Sequence, residues 1–116
     1  MLYTLTKNII MDKFNLEVMF KGWFIGNFQP TLNDTNDFEV AIKRYDEGDY
    51  EEKHHHKIAI EYTAIVSGDV EMNGIKYGKD DIIIIKPNES TDFKCLTDVV
   101  TVVVKTPSVS NDKYVD

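Results

Sequence analysis

Residues 48 to 68 carry the most informative pattern in the chain, and they read Gly48-Asp-Tyr-Glu-Glu-Lys-His54-His-His56-Lys-Ile-Ala-Ile-Glu61-Tyr-Thr-Ala-Ile-Val-Ser-Gly68. Side chains alternate between the two faces of a β-strand. His54 and His56 therefore point to one face, and His55 points to the other. Two imidazoles on one face can share a metal ion, so the stretch predicts a metal site on a β-sheet.

The segments around this stretch alternate apolar and polar residues with a period of two, which is typical of half-buried strands. Residues 39–45 and 14–20 both follow this pattern. Asn73-Gly74 lies between two short alternating runs and predicts a tight type I′ hairpin. Turn residues recur along the chain, as in a sandwich or barrel of short strands. Only Thr6 to Lys13 favours a helical turn, and the tail after Pro107 is predicted to be an extended arm or a frayed end.

Composition limits the classes of function. The chain has 116 residues, enough for one domain with one core. Its formal net charge of -7 repels phosphate backbones and anionic lipid surfaces, so neither a nucleic acid nor a membrane is an expected partner. The single cysteine, Cys95, cannot form an internal disulfide, and the first ten residues lack the pattern of a signal peptide. These features predict a cytoplasmic protein.

The spacing in residues 48–68 resembles the first sequence motif of the cupin superfamily. Every defining position of that motif is present: Gly48, His54, His56, Glu61 and Gly68. The resemblance extends over about residues 36–107 and implies a single all-β domain with the double-stranded β-helix, or jelly-roll, fold of a cupin barrel. Residues 1–35 would then form an N-terminal strand or arm, and residues 108–116 a tail.

The second cupin motif is matched only in part, by residues 81–92. Pro87 stands in its usual place. Asp81 and Glu89 replace the usual glycines, and Asp92 stands where the family has its third metal-binding histidine.

The resemblance implies that His54, His56 and Glu61 ligate a divalent transition metal, with Glu61 brought inward by a turn over residues 57–59. Asp92 has three possible roles: a fourth ligand, a general base beside the metal, or a solvated turn residue. Two nitrogens and two carboxylate oxygens are compatible with manganese, iron, nickel or zinc.

Other residues also have alternative roles. Arg44 shares strand parity with Val40 and Ile42, so it either projects into the cavity to bind a substrate anion or bridges to surface carboxylates. By the same parity Lys43 and Tyr45 are expected outside. Cys95 is predicted to be a small buried hydrophobe rather than a nucleophile. The aromatic residues Trp23, Phe24 and Phe28 belong to the core, a subunit interface or a pocket mouth.

These features predict a metal-dependent enzyme that acts on a small, polar, oxygen-rich molecule such as a sugar derivative or hydroxy acid. An isomerase, epimerase or lyase is the leading hypothesis, with Glu61 or Asp92 moving a proton. A non-haem Fe(II) dioxygenase and a non-catalytic module that binds a small ligand or a metal are the alternatives. The aromatic N-terminal segment predicts a homodimer.

Overall fold

The structure, a computed structural model, describes residues 11–116 and consists of two five-stranded antiparallel sheets. A single 3₁₀ turn, Leu16–Val18, precedes the first strand. The strands are β1 (Trp23–Ile25), β2 (Glu39–Tyr45), β3 (Tyr50–His55), β4 (Ile60–Ser67), β5 (Asp69–Met72), β6 (Ile75–Gly78), β7 (Ile82–Ile85), β8 (Thr91–Cys95), β9 (Val99–Thr106) and β10 (Tyr114–Val115). One sheet has the order β1-β2-β9-β4-β7 and the other the order β10-β3-β8-β5-β6. The predicted all-β jelly roll is confirmed.

The hairpin predicted at Asn73-Gly74 is present between β5 and β6, where Met72 pairs with Ile75. Asn73 and Gly74 both have positive φ angles, 51° and 79°. A two-residue type I′ turn requires this conformation at both central positions, and asparagine and glycine adopt it at low cost. Local sequence alone therefore determines this turn.

One end of the sandwich is filled with apolar side chains and the other end is hollow. The filled end contains a buried cluster of Ile65, Val70, Met72, Phe93, Cys95 and Val99. Along β9 the inward positions begin with Val99 and end with the half-buried Lys105. The inner face thus changes from apolar to polar along the strand, and the polar end encloses a cavity.

The strand predicted over residues 14–20 is wrong. Leu16–Val18 forms a 3₁₀ turn, which the side chain of Asn15 caps by accepting a hydrogen bond from the Glu17 amide. Phe14, Val18 and Phe20 are each 63% exposed, because neither sheet formed by residues 11–116 covers this segment. The homodimer expected from the aromatic segment with Trp23, Phe24 and Phe28 stays a prediction. Of the predicted helical turn over Thr6 to Lys13, residues 6–10 lie outside the described residues, and residues 11–13 form no helix.

The tail after Pro107 is not frayed but packs against the body of the protein. Ser108 and Asp112 are buried, and β10 pairs with β3 through His54 and His55. Asp112 accepts hydrogen bonds from three consecutive backbone amides, those of Lys57, Ile58 and Ala59, at 2.9–3.2 Å. The carboxylate thereby fixes the turn between His56 and Glu61.

We expect Asp112→Asn to lower the free energy of unfolding by about 1–3 kcal/mol at pH 7, because the amide cannot accept all of these bonds. The bonds from the amides of Ala59, Lys57 and Ile58 lower the pKa of Asp112 in the fold, against the opposing effect of its burial. A lowered pKa stabilises the fold above the unfolded value of about 3.9, and this contribution is lost as the pH falls through the folded value. Urea denaturation from pH 7 to pH 3 should therefore show the difference between wild type and variant shrinking below about pH 4.

The exposed Asp34 offers a matched control, since Asp34→Asn should change stability by less than about 0.5 kcal/mol. An Asp112→Asn variant as stable as Asp34→Asn at pH 7 would show that the buried carboxylate does not hold the turn.

Within residues 11–116, no helix is both long and apolar enough to traverse a lipid bilayer.

Candidate metal and ligand site

His54 and His56 border the same cavity, which has a volume of about 290 Å³ and lies between the two sheets. Their ring centroids are 5.4 Å apart. His55 points away from the cavity, where its Nδ1 lies 2.7 Å from a carboxylate oxygen of Asp116 and its ring stacks on Tyr114. The three histidines therefore alternate between the two faces as the sequence predicts.

Hydrogen bonds determine which nitrogen of each imidazole carries a lone pair. His54 Nδ1 lies 3.0 Å from the carbonyl oxygen of Glu52, which can only accept, so Nδ1 donates and the lone pair is on Nε2. His56 Nε2 lies 3.3 Å from Lys105 Nζ, and an ammonium can only donate, so the lone pair is again on Nε2. Nε2 is thus the atom of each imidazole that could bind a metal, and in His56 it is bonded to Lys105.

His56 is held in its neutral form. The side chain is buried, and burial, followed by the nearby positive charge of Lys105, lowers its pKa to about 4. Metals bind neutral imidazole, so at neutral pH no proton competes for His56.

Glu61 also borders the cavity, on β4. It lies opposite Lys105 of β9, which in turn lies opposite Glu39 of β2. Facing residues on neighbouring antiparallel strands have Cβ atoms about 4.5–5.5 Å apart, so Lys105 stands between two carboxylates. Thr63 donates a hydrogen bond of 2.7 Å to Glu61 Oε2.

The Asp92 carboxylate forms its hydrogen bonds with residues other than His54, His56 and Glu61. It lies on β8 between the buried Thr91 and Phe93, and it borders a recess of about 40 Å³ that His54, His56 and Glu61 also border. Its two oxygens accept hydrogen bonds from the Asn73 amide at 2.8 Å and the Tyr50 hydroxyl at 3.4 Å. These bonds tie β8 to the β5–β6 hairpin and to β3.

The donor types fit a divalent metal, although the donors are not gathered around one point. Two imidazoles and a carboxylate suit manganese, iron, nickel or zinc. Within residues 11–116, no three His, Cys, Asp or Glu side chains are grouped so that they could hold an ion. Lys105 bonds to His56, and Thr63 bonds to Glu61. Metal binding by His56 Nε2 requires Lys105 to release it, whereas Glu61 keeps its other oxygen, Oε1, outside the bond from Thr63.

The predicted orientation of β2 is reversed. Arg44 is exposed and borders an outer groove beside the 3₁₀ turn, whereas Lys43 and Tyr45 border the cavity. The small Ala41, which is 0% exposed, sets the inward parity of the strand. Val40 and Ile42, which suggested the opposite parity, are only partly buried on the outer face.

Several cavity residues were not identified from the sequence as site residues. The cavity is also bordered by Lys21, Trp23, Glu51, Phe93, Thr101, Val103, Lys105 and Lys113. A β-bulge between Glu51 and His54 explains why Glu51 was not identified. Because of the bulge, these two residues border the same cavity although they are an odd number of positions apart. Lys105 could have been found from its shared parity with the buried Val99, Thr101 and Val103. Of the aromatic residues that were given a pocket mouth as one alternative, Trp23 borders the cavity, whereas Phe24 and Phe28 do not line it.

Cys95 is 2% exposed, and burial raises the pKa of its thiol to about 11. It is therefore a protonated thiol at neutral pH, as its position in the apolar cluster predicts.

Solved structures resemble this fold, although neither the known protein-family models nor the curated protein sequences match the chain. An uncharacterised protein with a double-stranded β-helix domain from Klebsiella pneumoniae superposes with a TM-score of 0.63 at 24% identity, over 70% of this chain and 71% of that one. The DMSP lyase DddQ from Ruegeria pomeroyi gives 0.60 at 15% identity, over 71% and 44%. Oxalate decarboxylase from Bacillus subtilis, a protein with Mn(II) centres, gives 0.58 at 14% identity, over 69% and 24%.

These similarities establish the fold class: the chain is an all-β protein with the double-stranded β-helix fold of cupins. At these identities the likeness concerns the fold alone. The residues of the cavity, rather than the fold, determine the function, because one fold supports many unrelated chemistries.

Proposed function

We propose that this protein is a metal-dependent cupin enzyme that acts on a small polar molecule, with isomerisation, epimerisation or elimination as its reaction. One observation carries the proposal: His54, His56 and Glu61 border one cavity, and the hydrogen bonds of both imidazoles place the lone pair on the same nitrogen, Nε2. A hydrogen bond from Nδ1 of a histidine to a backbone carbonyl is the usual way in which proteins orient metal-ligating imidazoles, and His54 makes such a bond.

His54, His56 and Glu61 would hold the ion. A divalent manganese, iron, nickel or zinc ion supplies Lewis acidity that polarises a carbonyl or hydroxyl oxygen of a bound molecule. Asp92 stays outside the ligand set in this proposal, because Asn73 and Tyr50 bond to both of its oxygens, whereas Thr63 bonds to only one oxygen of Glu61.

Glu51 is the group that we propose for proton transfer. It borders both the main cavity and the small recess beside the imidazoles. Tyr45 donates a hydrogen bond of 3.3 Å to Glu51 Oε2, which orients the carboxylate and leaves its other oxygen free of this bond. A carboxylate in this position can take a proton from a carbon next to a polarised carbonyl.

Solvent exchange tests the reaction class without knowledge of the substrate. The metal-loaded protein would be incubated in deuterium oxide with a panel of sugar acids, keto sugars and hydroxy acids, and proton NMR would follow deuterium incorporation. We expect metal-dependent exchange, or elimination, at a carbon next to the carbonyl for at least one compound. Glu51→Gln should slow it by about 100-fold or more, and the exposed Glu52→Gln should leave it unchanged within about twofold.

Two outcomes would contradict the leading proposal. Bound metal without exchange or elimination of any compound would favour the non-catalytic binding module. Oxygen consumption with Fe(II), without exchange, would favour the dioxygenase.

A further inference from the structure

The cavity carries a charge opposite to that of the chain. Among residues 11–116, four lysines and two glutamates border it, an excess of two positive charges from these side chains. The chain as a whole has a formal net charge of -7. Glu39 lies at 3.9 Å from Lys105 and offsets part of this excess. Such local positive charge in an acidic protein favours an anionic ligand.

Two of these ammonium groups lie against one aromatic ring. Lys43 Nζ is 5.6 Å and Lys105 Nζ is 5.0 Å from the centroid of the Trp23 ring. Burial lowers the pKa of Lys43, and the charge of Lys105 lowers it further, whereas Glu51 opposes both effects. Burial and mutual repulsion cost these two cations free energy, which Glu39 and Glu51 offset in part and a bound anion would offset further.

Thr101 adds an independent observation. It lies opposite Lys43 on the neighbouring strand, is 0% exposed and borders the same cavity. Its hydroxyl oxygen is buried and has no hydrogen-bond partner among the described residues. A buried hydroxyl without a partner costs free energy, and a ligand oxygen in the cavity would satisfy it.

We propose that Lys43, Lys105 and Thr101 form a subsite for an oxyanion, the carboxylate or phosphate group of a small molecule, beside the Trp23 ring. The two ammonium groups neutralise the anion, and the Thr101 hydroxyl donates to one of its oxygens. The subsite rests on the proposed function in one respect, because the oxyanion that it binds would be the anionic group of the substrate in the same cavity. Lys105 Nζ also lies 3.3 Å from His56 Nε2, so the subsite adjoins the candidate metal site.

The single tryptophan of the chain, Trp23, reports on the subsite directly. Its fluorescence would be titrated with D-glucuronate, inorganic phosphate and the uncharged D-glucose at constant ionic strength, using the full chain as purified and again after treatment with a chelator. We expect saturable changes with glucuronate, with phosphate or with both, and none with glucose. The anion whose titration saturates shows whether the subsite takes a carboxylate, a phosphate group or both.

Variants locate the binding. Lys43→Gln should lower the affinity for the anion by about tenfold or more, because a charge-assisted hydrogen bond is lost. Thr101→Val should lower it by about threefold. Lys43→Arg should restore affinity to within about threefold of wild type. The matched control Lys94→Gln, at an exposed position on β8, should change affinity by less than about twofold.

His56→Ala separates this subsite from the metal site, because it should lose metal yet still bind the anion. The subsite is overturned if neither anion saturates the signal at millimolar concentration, or if Lys43→Gln and Thr101→Val both bind as wild type does. Anion binding without metal binding would support the subsite while contradicting the proposed metalloenzyme.

Discussion

Gly68→Ala is expected to destabilise the protein by about 3 kcal/mol or more. Gly68 has a φ of +92°, a conformation that side chains rarely adopt. A Cβ added there would overlap the backbone carbonyl oxygen of Asp98, which cannot move as a flexible side chain could. Urea denaturation followed by circular dichroism would measure the loss.

Gly48 is the matched control, since it is the other glycine of the first motif and has nearly the same φ, +91°. Nothing lies within 4 Å of a Cβ added at Gly48, so Gly48→Ala should cost only about 1 kcal/mol of backbone strain. Equal costs for the two variants would mean that the close approach of Asp98 to Gly68 does not constrain the fold.

His56→Ala is expected to weaken metal binding by more than about 100-fold, because it removes one of the two imidazole ligands that we propose. Titration with Zn²⁺ or Mn²⁺ would measure the affinity. His55→Ala changes the neighbouring histidine, which bonds to Asp116 outside the cavity, and should leave the affinity within about twofold.

Asp92→Asn separates two models of the ligand set. With the carboxylate bonded to the Asn73 amide and the Tyr50 hydroxyl, we expect metal affinity to stay within about threefold of wild type. A loss as large as that of His56→Ala would make Asp92 a ligand, and a large loss in His55→Ala would contradict the assignment of the cavity histidines.

The sequence predicted features that depend on local geometry. Alternation along a strand separates His55 from His54 and His56, and the Asn73-Gly74 dipeptide specifies its own turn. The turn between His56 and Glu61 was also expected, although the residue that fixes it, Asp112, lies 51 positions beyond Glu61. Such long-range partners cannot be inferred from spacing.

Where the sequence failed, an irregularity or a competing partner decided the structure. The bulge in β3 brings Glu51 into the cavity, although strict alternation from His54 would select Glu52. On β2 the inward face is marked by the small Ala41 rather than by the larger Val40 and Ile42, so Arg44 lies outside. In the hydrophobic pattern of a sequence, a small buried residue such as alanine gives a weaker signal than a larger branched residue that is partly exposed.

Metal content is the measurement that tests the central claim most directly. Untagged wild-type protein, purified without chelators, would be analysed by plasma mass spectrometry. We predict about one equivalent of a single divalent transition metal per chain, because His54, His56 and Glu61 border one cavity. Protein that is free of metal as purified and also fails to bind added manganese, iron, nickel or zinc would contradict the account.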